Sequence, residues 1–158
     1  MNIFWLDNDP RTCAAYHCDK HVVRMIVEYA LILSTVVHQS GTADGVELYE
    51  ITHQNHPCTK WARENLSNYR ALLDLALACC EEYTERYGKV FKTERILRGL
   101  PRTIPLPVGE LTHVPQVMPD EFKIPGDPVA AYRNLYIQDK VRFAKWKTQP
   151  PHWWPYES

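Results

Sequence analysis

Long apolar runs are missing from this chain. No stretch approaches the roughly 20 residues of a bilayer crossing, and the longest, such as residues 29–33, belong to a periodic pattern. No membrane partner is therefore expected. The opening Met1-Asn2-Ile3-Phe4-Trp5-Leu6-Asp7 lacks the basic lead and cleavage site of a secretory leader. CxxC pairs are absent too, and the five cysteines are an odd number. Cys79 and Cys80 are adjacent within a helical pattern, where disulfide geometry is hard to reach. Reduced thiols and a cytoplasmic location are the simpler expectation. Nor is there an excess of one charge: a net charge of -1 argues against a protein that coats DNA nonspecifically, because such binding rests on many phosphate contacts. A focused patch stays open, since Arg133, Lys140, Arg142, Lys145 and Lys147 face only Asp139 and Glu157 in the last stretch of chain. Solenoid-period repeats and low-complexity tracts are also lacking.

What remains is globular. With 45% apolar and 23% charged residues over 158 positions, the chain fits one domain that buries a core without staples. The spacing predicts three long helices. The first opens at Asp9-Pro10, an N-cap followed by proline at the first helical position, and runs to Ser40-Gly41 with room for a break. The second opens at Asn55-His56-Pro57 and closes at Gly88, a natural left-handed terminator. The third opens at Asp127-Pro128 and runs to about Lys147. A short helix fits residues 93–98. Ile3 to Leu6 reads as a lead-in packed on the core, with a short strand as the alternative. Six prolines within residues 100–126 forbid a regular helix and favour an extended wrap. Residues 148–158 form an aromatic tail. The expectation is an all-α single domain over residues 1–158: three long helices, a Pro-rich extended segment around the core, and that tail.

The first helix carries a polar stripe. At about 100° per residue, Cys13, His17, His21, Arg24, Glu28 and Thr35 fall within roughly 80° of arc, with apolar residues around most of the rest. A helix apolar around most of its girth is largely buried, so a titratable stripe on it points to a cleft. Glu28 is the candidate general acid or base: desolvation raises its pKa and Arg24 opposes that shift. The bland alternative is a structural network in which Arg24 and Glu28 pair and each histidine bonds a backbone carbonyl. A zinc site is disfavoured, because His17-Cys18-Asp19-Lys20-His21 has Cys18 where a metalloprotease helix has glutamate. No metal and no cofactor is expected.

Two further groups draw notice. Asn55 and His56 stand at a helix N-terminus with Lys60 and Arg63 on the following turns, a setting for a phosphate unless they simply cap the helix. Asn65 lies within the apolar arc, where an amide needs partners. In the last third, bases and aromatics interleave. Tyr132, Tyr136 and Phe143 read as core, whereas the tandem Trp153-Trp154 suits a ligand or an anchor.

These residues resemble the phage pyrimidine-dimer DNA glycosylases of the endonuclease five type, small all-helical proteins. In that family a histidine precedes the catalytic glutamate by seven positions on an early long helix, as His21 precedes Glu28 here. A polar turn before the second long helix, a basic last helix and an aromatic tail complete the likeness. The chain is also similar to a widespread group of phage proteins with segments like Asp19-Lys20-His21, Asn55-His56-Pro57 and Ala144-Lys145-Trp146-Lys147. The resemblance implies an N-glycosidase of the DNA glycosylase and abasic-site lyase kind, acting in a host cell's cytoplasm if phage-encoded. Glu28, His21, Arg24 and His17 would be catalytic; Asn55, His56, Lys60, Arg63, Asn65, Trp153 and Trp154 would bind phosphate or nucleotide. Three positions depart from the family. Its nucleophile is an α-amine exposed after the initiator Met is removed, and Asn2 is too large for efficient removal, so either Met1 would supply the amine or no imine forms. The arginines flanking its glutamate are Val27 and Leu31 here. It is strongly basic, which this chain is not, so a smaller substrate such as a nucleotide stands beside DNA. The other readings are a non-catalytic nucleotide or nucleic-acid binder that uses Arg24 and Glu28 as a clamp, and a protein-binding factor that uses the tail.

Overall fold

In a computed structural model, which describes residues 2–156, the chain is all-helical, with no strand among the described residues. Asp9 starts α1 (Pro10–Tyr16) as expected: its carboxylate accepts the Thr12 N–H at 2.9 Å and Pro10 takes the first helical position. The first long helix is broken, however. His17 turns extended (φ -61°, ψ 130°), and α2 (Asp19–Gln39) starts afresh two residues later. The break frees backbone N–H groups that need partners. Cys18 N–H donates to the Tyr136 hydroxyl at 3.2 Å and Asp19 N–H to the Lys145 carbonyl at 2.8 Å. Both partners come from the far end of the chain, beyond the reach of local pattern.

The second long helix divides the same way. His56 caps α3 (Pro57–Glu64), and Asn65, fully extended, ends it and caps α4 (Leu66–Tyr87) by accepting the Asn68 N–H at 2.9 Å. Gly88 closes α4 in the left-handed region (φ 70°), where a Cβ would be strained. The short α5 spans Glu94–Gly99. α6 (Pro128–Gln138) is shorter than its sequence suggests: a 3₁₀ turn at Lys140–Arg142 follows, and the chain then folds back to the start of α2. Trp146 Nε1 donates to the Tyr16 carbonyl and Lys145 caps Asp19, so this stretch serves the helix break instead of extending α6.

The lead-in at Ile3 to Leu6 is buried but pairs with no strand; Phe4 N–H donates to the Tyr29 hydroxyl and Leu6 N–H to the Cys13 sulfur. α2 lies at the centre, packed on α3, α4 and α5. By length and apolar content alone, α2 is long enough to cross a bilayer, although no uninterrupted apolar run in it is. Two thirds of its most apolar stretch is buried inside the fold, which is the ordinary state of a central core helix. Residues 100–126 wrap α3 and α4 as the prolines require. Asn68, fully buried, holds them: its amide donates to the Trp61 carbonyl and Thr112 hydroxyl and accepts the Thr112 N–H.

Candidate active site

The first turns of α2 present His21, Arg24 and Glu28 to one cleft of about 290 Å³, walled also by Asn2, Phe4, Lys20, Met25, Lys140, Arg142 and Phe143. Spacing of three and four residues puts the α2 groups on one face. The fold adds what the stripe lacked. The lead-in supplies Asn2 and Phe4, and the turn after α6 brings Lys140, Arg142 and Phe143 from more than a hundred residues away. Glu28 is half-buried and is the one carboxylate among the described residues lining the cleft; Lys20, Arg24, Lys140 and Arg142 are the cations there, with Asp139 paired to Lys140 at 3.0 Å and to Arg142 at 4.0 Å.

His21 is held on three sides. Its ring stacks on Phe4 (centroids 4.1 Å apart, planes at 17°), meets the edge of Phe143 at 5.5 Å, and its Nδ1 bonds the Tyr136 hydroxyl at 2.6 Å. Burial first, then nearby cationic groups including Lys140, Lys20 and Arg24, depress its pKa to about 3, so the imidazole is neutral near pH 7. A neutral ring donates a hydrogen bond rather than a titrating proton. Lys20 lies 4.5 Å from the centre of the Phe143 ring and Arg142 5.3 Å from it, arranging the two cations around one aromatic.

His17 stands apart from the cleft. It is fully buried, with Nδ1 2.8 Å from the Cys13 carbonyl and Nε2 2.8 Å from the Tyr29 hydroxyl. A carbonyl only accepts, so Nδ1 carries the proton and Nε2 accepts from Tyr29, which in turn accepts the Phe4 N–H. Every polar atom of the ring is engaged, and burial lowers its pKa to about 4. Arg24 and Glu28 both line the cleft without forming an ion pair with each other. Arg24 extends into solvent. Cys13, buried and bonded to the Phe4 carbonyl, is likewise turned away from His21.

The remaining candidates lie elsewhere. His56 Nδ1 accepts the Cys58 N–H at 3.0 Å, acting as the cap of α3, and burial lowers its pKa. Asn65 caps α4 and donates to the Glu110 carbonyl at 2.9 Å. Arg63 bonds the Gln54 carbonyl and the Gln39 side chain. Lys60 and Arg63 border a separate open groove of about 610 Å³, and Asn55 is exposed at its turn. Trp154 packs edge-on to Trp146 and Tyr156. Trp153 packs edge-on to Tyr16 and Tyr136, behind the hydroxyl that holds His21. Neither indole lines the cleft.

Sequence reasoning placed Tyr136 and Phe143 in the core and passed over Lys20, Lys140 and Arg142 as individuals. The only signal for the last two was the basic excess after Pro128, which does not say where those bases land.

Residues 1–95 match the family model for pyrimidine dimer DNA glycosylase, a span that runs from the lead-in into α5 and contains His21, Arg24 and Glu28. Neither the curated proteins nor the solved structures return a match. With more than half of its length matched, the chain belongs to the pyrimidine dimer DNA glycosylase family.

Proposed function

We propose that the α2 cleft is where this protein breaks the N-glycosidic bond of a pyrimidine dimer in DNA, with Glu28 as the carboxylate beside the reacting sugar. Membership of the family supplies the DNA glycosylase activity; the roles follow from one observation, that among the described residues lining the cleft Glu28 is the one carboxylate, beside Lys20, Arg24 and the Asp139-paired Lys140 and Arg142. Loss of the base builds positive charge on the sugar carbon and ring oxygen, which an adjacent carboxylate stabilises, as in other glycosidic cleavages. Lys20, Arg24, Lys140 and Arg142 match the phosphates on either side of that sugar. A stacked base is out of reach of such a cleft, so the target nucleotide swings out of the duplex. His21 donates a hydrogen bond to an oxygen of the extruded nucleotide.

The nucleophile in this reading is the α-amine of Met1, which lies outside the described residues; Asn2, the next residue, lines the cleft. The amine nitrogen bonds to the sugar C1′ as the C1′–base bond breaks, and the departing base carries off the electron pair and takes a proton. Loss of the nitrogen's proton and opening of the sugar ring then leave an imine. Attack by water at the same carbon gives a free abasic sugar instead. The place of action is the cytoplasm, the host's if the protein is phage-encoded, and all five cysteines being free thiols supports a reducing compartment. The test is borohydride trapping on duplex DNA carrying a dimer or an abasic site. A covalent adduct mapping to Met1 is expected, and Glu28→Gln loses roughly 10²–10⁴-fold in turnover while still binding the DNA. Full activity in Glu28→Gln refutes the assignment; activity without an adduct leaves the glycosylase and removes the amine.

A further inference from the structure

We infer that Tyr136, outside the family-matched segment, is a positioning residue for this cleft: its hydroxyl donates to Nδ1 of His21 and so leaves Nε2–H as the proton that His21 offers to the substrate. The inference rests on the functional reading above only for what that donor meets. The hydroxyl oxygen sits at a junction of three groups. It accepts the Cys18 N–H at 3.2 Å, lies 2.6 Å from His21 Nδ1, and has the Cys18 sulfur at 3.7 Å. It has one proton to give. A thiol sulfur is a weak acceptor and the contact is long, whereas the imidazole nitrogen is close and basic. The proton therefore goes to Nδ1, and a neutral imidazole with Nδ1 accepting carries its own proton on Nε2.

The surroundings keep the ring in that form and orientation. Phe4 stacks on one face and the edge of Phe143 closes another side, so the ring plane is set. No hydrogen bond to Nε2 is made by the described residues. Among the described residues, the charged and titratable groups around the ring are Lys20, Arg24 and Glu28 on α2, Lys140 and Arg142 from the 3₁₀ turn with Asp139 paired to both, His17 at the helix break, and Cys18 and Tyr136 themselves. Cations dominate, and they oppose an imidazolium. Tyr136 is in turn fixed by its place on the buried face of α6 with Tyr132 and Leu135 and by Trp153 packed edge-on behind it. The aromatic tail thus reaches the chemistry through Tyr136, without touching the cleft.

The experiment is nitrogen NMR of the ¹⁵N-histidine-labelled full chain, paired with incision kinetics on dimer-containing duplex. In the wild type, His21 shows the Nε2-protonated neutral tautomer at pH 7. In Tyr136→Phe it becomes a tautomer mixture, and kcat falls by roughly tenfold or more with KM changed less. The His17 signals, which rest on Cys13 and Tyr29, stay in place and report that the variant is folded. His21→Gln, which keeps an N–H donor without a titrating proton, retains more turnover than His21→Ala. A wild-type His21 that is charged or Nδ1-protonated overturns the inference, and so does a Tyr136→Phe protein with unchanged tautomer and kcat. Where that variant fails to fold, the wild-type spectrum and the glutamine variant decide. A wild type without incision activity defeats the functional reading, while the spectrum still judges the tautomer.

Discussion

Replacing Arg86 by methionine tests how the helix break that orients the cleft is held. The Arg86 side chain has no exposure to solvent and binds three groups: Glu82 at 2.9 Å, Asp19 at 3.0 Å and the Ala15 carbonyl at 3.0 Å. It thereby ties α4 to the end of α1 and the first residue of α2. Methionine fills much of the same volume without charge, so the loss is electrostatic more than steric. Glu82, at 5% side-chain exposure, then keeps only the Arg11 guanidinium at 3.4 Å, and Arg11 is itself about half exposed. Removing one partner of a buried pair costs about 3–5 kcal/mol, because the other charge is left without compensation. Against a total of about 5–15 kcal/mol for a folded domain, that is a large fraction. The assay is urea unfolding at pH 7, with the double variant Arg86→Met, Glu82→Gln alongside. The orphaned carboxylate being the cause, the double variant is more stable than Arg86→Met alone by about 1 kcal/mol or more. A loss below about 1 kcal/mol in the single variant, or no recovery in the double, refutes the reasoning.

Two other predictions concern pH and salt. His17 and His21 are held neutral, with pKa values brought down to about 4 and about 3 from 6.5, so the unfolded chain binds more protons than the folded one below pH 6.5. Their contribution to stability is complete above about 6.5 and declines as pH falls toward 4, by up to ~1.4 kcal/mol per pH unit for each ring; urea midpoints measured from pH 7.5 to 4.5 check this, and a flat profile contradicts it. Lys140 and Arg142 contact backbone phosphates in the proposed complex, so the paired Lys140→Ala, Arg142→Ala variant weakens duplex binding across sequences. It also lowers the slope of log K against log[salt] by roughly 1–2, and an unchanged slope removes these residues from the interface.

Helix starts were legible because capping is local: Asp9, His56 and Asp127 each stand before a proline and each caps its helix. The Gly88 terminator was equally local. The breaks at His17 and Asn65 were not, because an interrupted helix is stable only where the freed groups find distant partners. Those partners are Tyr136 and Lys145 for the first break and the Pro107 carbonyl for the second. The same limit applied to the stripe. Periodicity put His17, His21, Arg24 and Glu28 on one line, yet the change of direction at His17 swings that ring into the core while the other three stay with α2. Spacing gives an arc only while the helix is continuous.

A net charge of -1 spoke against nonspecific DNA coating and set a smaller substrate beside DNA, but the total says little about the cleft itself. Charges in water at physiological salt act over a Debye length of about 8 Å, so a phosphate entering the cleft is governed by the groups lining it and hardly by the far side of the molecule. Lys20 and Arg24 from the matched segment and Lys140 and Arg142 from beyond it line the cleft with Glu28, while Asp139 pairs with Lys140 at 3.0 Å and reaches Arg142 at 4.0 Å. Elsewhere several carboxylates sit with their own cations, Glu85 with Arg11, Glu47 with Arg95, Glu94 with Arg98 and Asp74 with Arg102, and others such as Asp44, Glu50 and Glu121 lie away from the cleft without an ion pair among the described residues. An acidic residue paired on a distant face subtracts from the formal charge and not from the field that a bound nucleotide meets. The near-neutral total and a basic cleft are therefore compatible, and in the proposed complex the division of the cations between two parts of the chain gives the C-terminal residues a share in DNA binding beside the matched helices.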